Sequence, residues 1–174
     1  PGVGKSLWLV NQACMGLTEG RNVLYVSLEM REDKVAQRFD SILTGYNQGK
    51  LKEVSSQLQV QDRLQVFQDK FNAKLVIKEF PTATATVNTL RALLVQLQNH
   101  SDFVPDLIVV DYLELLRPTT EVQQEYHAQQ RISEELRGLA MENNCLLWTA
   151  TQTNRQGRMV KVITDAELGD SYGK

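Results

Sequence analysis

Four short apolar runs constrain this chain more than any other feature. They are Val23 to Leu28, Leu75 to Phe80, Leu107 to Val110 and Leu146 to Ala150, each mostly rich in Val, Ile, Leu or aromatic residues. Runs this short and continuous suit strands buried on both faces. The intervals between them carry helical spacing. Ser6 to Gly16 follows a glycine turn, and Glu32 to Leu43 places Val35, Phe39 and Ile42 three and four residues apart. Val87 to Leu97 does the same with Val87, Leu90, Leu94 and Leu97, and Val122 to Met141 puts Val122, Tyr126, Ile132, Leu136, Leu139 and Ala140 on one side. Strand and helix alternating in this way predict an α/β fold, a mostly parallel sheet flanked by helices. Gly45 to Phe71 is polar and Gln-rich. Its Leu51, Val54, Leu58, Leu64, Phe67 and Phe71 are spaced for a helical hairpin whose glutamines face solvent. No internal repeat, low-complexity tract or linker interrupts the pattern.

Composition narrows the classes. A chain of 174 residues with 42% hydrophobic and 23% charged residues is ordinary for one globular domain with a sizeable core. Two cysteines, Cys14 and Cys145, are too few for a disulfide scaffold, and two histidines argue against a zinc site. The longest apolar stretches fall far short of the roughly 18 residues of a membrane span, and no signal peptide is visible. This balance points to the cytoplasm and away from a membrane partner. The net charge of −2 carries no global signal for nucleic acid, so such a partner must be argued locally.

The chain opens on Pro1-Gly2-Val3-Gly4-Lys5-Ser6, the back end of the P-loop pattern G-x-x-x-x-G-K-[ST]. Glycines let successive backbone N–H groups converge on phosphate oxygens, and the helix that follows aims its positive end at the same anion. Gly2, Val3, Gly4, Lys5, Ser6 and Leu7 are therefore the expected nucleotide-binding run. Lys5 would bridge the terminal phosphates, and Ser6 would hold Mg²⁺. Three downstream residues fit the same chemistry. Asp111 ends the run Leu107-Ile108-Val109-Val110 in the Walker B manner and would orient a water or Mg²⁺ across from Ser6. Glu29, directly after the run Val23 to Leu28, would act as general base on the attacking water, or would be an ordinary acid at a helix start. Gln152, just past Ala150, would sense the γ-phosphate, or would be a surface amide. Trp8 and Trp148 are expected in the core, and Arg131 and Arg137 on a helix surface beside Glu134 or Glu135.

With these residues in place the chain resembles the RecA-like motor domain of DnaB-family replicative helicases, nearest the T-even bacteriophage branch. The resemblance covers nearly the whole chain. It is carried by Gly2 to Ser6, by Asn22 to Met30 with its Ser27-Leu28-Glu29-Met30, and by Phe103 to Leu113. It continues through Asp111 to Leu116, Glu135 to Ala140, Leu147 to Gln152 with Thr151 to Arg155, and Asp170-Ser171. It implies a RecA-like P-loop NTPase that uses ATP and Mg²⁺, with Glu29 as catalytic base, Asp111 as Walker B acid and Gln152 as sensor. It implies a homo-hexameric ring that tracks along single-stranded DNA and unwinds duplex, with primase and a helicase loader as further partners. In the family pattern a neighbouring subunit's arginine finger lies past residue 174, so none is assigned.

Arg155, Arg158 and Lys161, immediately after the sensor, lie where the family places a loop facing the ring channel. Three cations per subunit around a ring would make a basic funnel for phosphates despite the acidic total. A solvated surface loop is the plain alternative, and the stretch from Arg117 to Gln130 is a weaker second candidate. Two other functions stay open on these residues: a recombinase or KaiC-like ATPase on the same fold, and a nucleotide-binding scaffold without turnover. The expected domain is residues 1–174, a partial RecA-like unit without the strand that precedes the P-loop and without the strands that follow. A segment cut this way is expected to be poorly stable or inactive alone, because a missing sheet neighbour leaves backbone groups unpaired.

Overall fold

The computed structural model describes residues 4–51, 53–120 and 125–152. Four strands form one all-parallel sheet in the order β2-β1-β3-β4: β1 is Val23–Ser27, β2 Leu75–Glu79, β3 Leu107–Asp111 and β4 Leu146–Thr149. Around them lie α1 (Lys5–Thr18), α2 (Glu32–Thr44), a single turn α3 (Gln48–Leu51), α4 (Val54–Phe71), α5 (Val87–Ser101) and α6 (Glu125–Glu142). The strands and helices fall where the apolar runs and the helical spacing put them. Val122 lies outside the described residues.

The period-2 geometry of a strand sorts β1 and β3 into two cores. Val23 and Tyr25 with Leu107 and Val109 face Leu9, Val10, Ala13, Cys14 and Leu17 of α1, and Val35 and Phe39 of α2. Leu24 and Val26 with Ile108 and Val110 face Val87, Leu90 and Leu94 of α5, and Ile132, Leu136 and Leu139 of α6. Each large apolar side chain so buried contributes about 1.5–3 kcal/mol. Gly16 lets α1 lie close to the sheet: a Cβ there would stand 3.1 Å from Leu107 Cδ2 and 3.5 Å from Val23 Cγ2. Thr86 caps α5 through a reciprocal capping box with Thr89.

Three expectations are corrected. Only β1 and β3 are buried along their whole length, because they occupy the middle of the described sheet. β2 and β4 are its edges, and Leu146 on β4 is 69% exposed. The tryptophans are not core residues: Trp8 is 47% and Trp148 40% exposed, and their rings meet edge-on with centroids 5.2 Å apart. The Gln-rich stretch is less a free hairpin than one short turn followed by α4, which packs mainly on α2. Arg63 of α4 donates to the Thr44 carbonyl at the end of α2, and Phe67 joins the α1/α2 core. Arg131 pairs with Glu134 and Glu135 as expected.

Candidate functional site

The register brings three strand tips to one edge. Ser27 pairs with Asp111, and Val110 with Thr149, so Glu29, Asp111 and Gln152 leave the sheet at the same end. Open parallel sheets place ligands at this carboxyl end. The amino end of α1 arrives there too. Gly4 adopts a left-handed conformation (φ 84°), which a glycine tolerates and other residues rarely do, and it turns the chain into α1. No side chain caps this end, and the first turn carries no acid. The opening N–H groups of α1, those of Lys5, Ser6 and Leu7, precede the first α-helical bond, from Trp8 N–H to the Gly4 carbonyl at 2.9 Å. They are the donors a phosphate would take. Gly2 and Val3 lie outside the described residues.

Asp111 is 1% exposed and fully engaged. Its Oδ1 accepts from the Ser6 hydroxyl at 3.1 Å and its Oδ2 from the Tyr25 hydroxyl at 2.8 Å. Bonds to an ionised partner contribute about 1.5–3 kcal/mol each, so two donors hold this carboxylate in one orientation. The tyrosine responds in turn: burial first, then the adjacent Asp111 charge, push the Tyr25 phenol far above its usual range. Ser6 and Asp111 therefore meet across the whole span from P-loop to β3. Their oxygens are the hard donors Mg²⁺ takes, and Mg²⁺ characteristically completes its shell with water and substrate phosphate. No cluster of three or more His, Cys, Asp or Glu side chains exists among the described residues to hold a metal without such help.

Glu29 sits in a different setting. Ser27 Oγ donates to the Met30 carbonyl at 2.6 Å and accepts from the Met30 N–H at 3.1 Å, which closes a tight turn around Leu28 and Glu29. Leu28 is buried, its N–H bound to the Asp111 carbonyl at 2.9 Å and its carbonyl to Thr82 Oγ1 at 2.8 Å. The turn is thus pinned while the Glu29 side chain stands exposed. It is not the cap of α2, whose first turn carries Glu32 and Asp33 and whose Glu32 N–H is held by Glu79 Oε2 at 3.0 Å.

Two residues that the sequence reading did not single out complete the site. Tyr112, directly after the Walker B acid, lies under Lys5, with the ammonium 4.1 Å from its ring centroid. A cation over an aromatic face contributes about 0.5–2 kcal/mol, depending on desolvation. The Tyr112 hydroxyl accepts from Gln152 Nε2 at 3.0 Å. Burial and then the Glu29 charge raise the Tyr112 pKa; the Gln152 bond opposes them, and Glu114 and Asp111 add to them. Glu114 follows in a 3-10 turn, Leu113–Leu115. Its Oε1 accepts from Thr151 Oγ1 at 2.7 Å and from the Gln152 N–H at 2.5 Å. Its Oε2 is buried without a partner among the described residues. The signal for these two was polar residues placed just after a strand-end acid; Tyr25, which the sequence reading also passed over, was signalled by a tyrosine inside the run Val23 to Ser27, whose buried hydroxyl needs an acceptor.

Lys5, Ser6, Glu29, Asp111 and Gln152 thus gather at one place. Leu7 is exposed beside them in the first turn of α1. Arg155, Arg158 and Lys161 lie outside the described residues. No helix among the described residues is long and apolar enough to cross a membrane.

Comparison with known proteins shows the family and the fold. Residues 1–163 match the family model of the DnaB-like helicase C-terminal domain. The chain is 34% identical over 176 aligned positions to the DnaB-like replicative helicase of Enterobacteria phage T4, covering 98% of this chain and 37% of that protein's length. Two solved structures share the fold. One, of a DnaB-like replicative helicase and its interactions with primase, superposes with a TM-score of 0.75 at 21% identity over 98% of this chain and 42% of its own. The other, an ATPase domain, gives 0.76 at 21% identity over 98% of this chain and 61% of its own.

Proposed function

The chain belongs to the DnaB-like helicase C-terminal domain family, and from that premise we propose that it is the ATP-hydrolysing motor of a replicative DNA helicase. The observation that carries the proposal is the Ser6–Asp111 hydrogen bond, which joins the P-loop helix to the Walker B strand tip at an uncapped helix start. ATP and Mg²⁺ fit the groups present. Gly4, Ser6 and Leu7 would supply phosphate-binding backbone, with Gly2 and Val3 joining them on the sequence pattern alone, Lys5 would supply the countercharge, and Ser6 with Asp111 the oxygens for the ion. A bound magnesium would offset phosphate charge and polarise the terminal phosphoryl group.

The protein's own part is positioning and proton handling. Asp111, locked by two donors, fixes the Ser6 hydroxyl. Glu29, exposed on a pinned turn and without a hydrogen bond or ion pair among the described residues, is free to take the proton of the attacking water. Gln152 donates to the terminal phosphate and passes its loss to the segment that follows. In that segment Arg155, Arg158 and Lys161 contact the backbone of single-stranded DNA, and the working unit is a homo-hexameric ring. A primase partner is supported by the relative whose structure concerns its interactions with primase. We test the base assignment with Glu29→Gln in the intact protein: turnover falls by about 10²–10⁴-fold, the range of a lost general base, while ATP binding is retained. Turnover at the wild-type rate rejects it. ATP-driven separation of a forked duplex, as against strand exchange on a filament, separates a helicase from a recombinase.

A further inference from the structure

We propose that Tyr112 is a positioning residue that couples Lys5 to Gln152, its ring seating the ammonium and its hydroxyl seating the amide. The inference rests on the motor reading above and names a link within that site. Lys5 lies 4.1 Å from the ring centroid and Gln152 Nε2 lies 3.0 Å from the hydroxyl, so one rigid side chain touches the P-loop and the sensor at once. Its backbone is fixed at both ends. Asp111 before it is held by Ser6 and Tyr25, and Leu113 after it donates to the Ala150 carbonyl at 3.3 Å. The Gln152 N–H is committed to Glu114, so the part of Gln152 able to exchange partners is its side chain. A phenol both donates and accepts, and the bond therefore survives either orientation of the amide.

The consequence is a competition. A phosphate that draws Lys5 off the ring leaves Tyr112 without its cation, and a phosphate that draws the Gln152 amide takes it from the hydroxyl. Both ligands of Tyr112 are thus the two groups that the terminal phosphate recruits, and their release is tied through one ring. The ring also pre-orders a flexible lysine, whose immobilisation otherwise costs entropy on binding.

The experiment is steady-state ATP hydrolysis by the intact protein, with and without oligo(dT). Tyr112→Phe keeps the ring and removes the hydroxyl. It is expected to cut the ratio of oligo(dT)-stimulated to DNA-free kcat at least about fivefold, with a smaller change in the KM for ATP than Tyr112→Leu produces. Tyr112→Leu removes both contacts and is expected to raise the KM for ATP about threefold or more as well. In a double-mutant cycle, Tyr112→Phe added to Gln152→Leu has no further effect on the stimulation. Full stimulation in Tyr112→Phe, additive losses in the cycle, or a parallel fall of the DNA-free kcat each overturns the coupling. A wild-type protein with no DNA-stimulated hydrolysis overturns the motor reading, and the coupling with it.

Discussion

The tips of β1 and β3 lie side by side in register, and each brings a carboxylate to the same end of the sheet, yet the two are held in opposite ways. Asp111 is 1% exposed, and both its oxygens are taken by hydroxyls from other elements. Glu29 is exposed, and its turn rather than its side chain is anchored. The difference teaches how one sheet edge holds two acids in settings that suit separate duties. A carboxylate locked by charge-assisted bonds keeps its shape and suits an ion or a fixed water. A carboxylate without such bonds is available to accept a proton.

The sharpest way to break this contrast is to separate turnover from stability. Glu29→Gln should reduce kcat by about 10²–10⁴-fold and shift folding stability by no more than about 0.5 kcal/mol, as exposed substitutions do. Equal thermal melts with unequal hydrolysis rates would show it. Asp111→Ala should do more to the fold. It strands the buried Tyr25 hydroxyl and costs about 1–3 kcal/mol, read as a lowered thermal midpoint in the absence of nucleotide. If the two variants melt alike, the asymmetry between the tips is not energetic.

Tyr25→Phe tests the lock from the other side. At neutral pH it should cost about 1–2 kcal/mol, since Asp111 Oδ2 loses its donor. Its pH dependence has a defined sign. The folded Tyr25 keeps its proton above the value near 10 at which an unfolded tyrosine releases it. Above pH 10 the unfolded state therefore binds fewer protons, and stability falls as pH rises, by up to about 1.4 kcal/mol per unit for this group. Denaturant titrations from pH 9 to 11 should show a shallower alkaline loss in Tyr25→Phe than in wild type. Cys14, whose thiol burial pushes up to about 12, adds the same slope to both proteins and cancels in the difference. The smallest effect belongs to Glu114→Gln. The amide oxygen still accepts from Thr151 and Gln152, but an amide nitrogen without an acceptor among the described residues takes the place of Oε2, so stability should fall by about 0.5–1 kcal/mol.

Much of this was visible in the residues. The runs at Val23 and Leu107 read as strands because the middle of a parallel sheet demands apolar side chains on both faces, and that demand is local in sequence. The GKS turn, Asp111 and Glu29 were legible because phosphate chemistry restricts which residues follow a glycine turn or end a strand. Burial at the sheet edges was not legible: Leu146 and Trp148 have core composition, and their exposure depends on which strand lies outermost. The second ring of the site escaped for a related reason. Tyr25 and Tyr112 look like packing residues, and what makes them polar participants is the register that sets one hydroxyl against Asp111 and the other against Gln152. Arg155, Arg158 and Lys161 rest on the family pattern alone.

Gly16 gives the last lesson. Because α1 lies on Leu107 and Val23 with no side chain at Gly16 between them, the helix that opens with Lys5 and Ser6 is packed directly against the strand that ends in Asp111. On the proposed reading, a pull by a nucleotide at Lys5 and Ser6 would reach the floor of the sheet through this contact, as a shaft keyed to its wheel turns it.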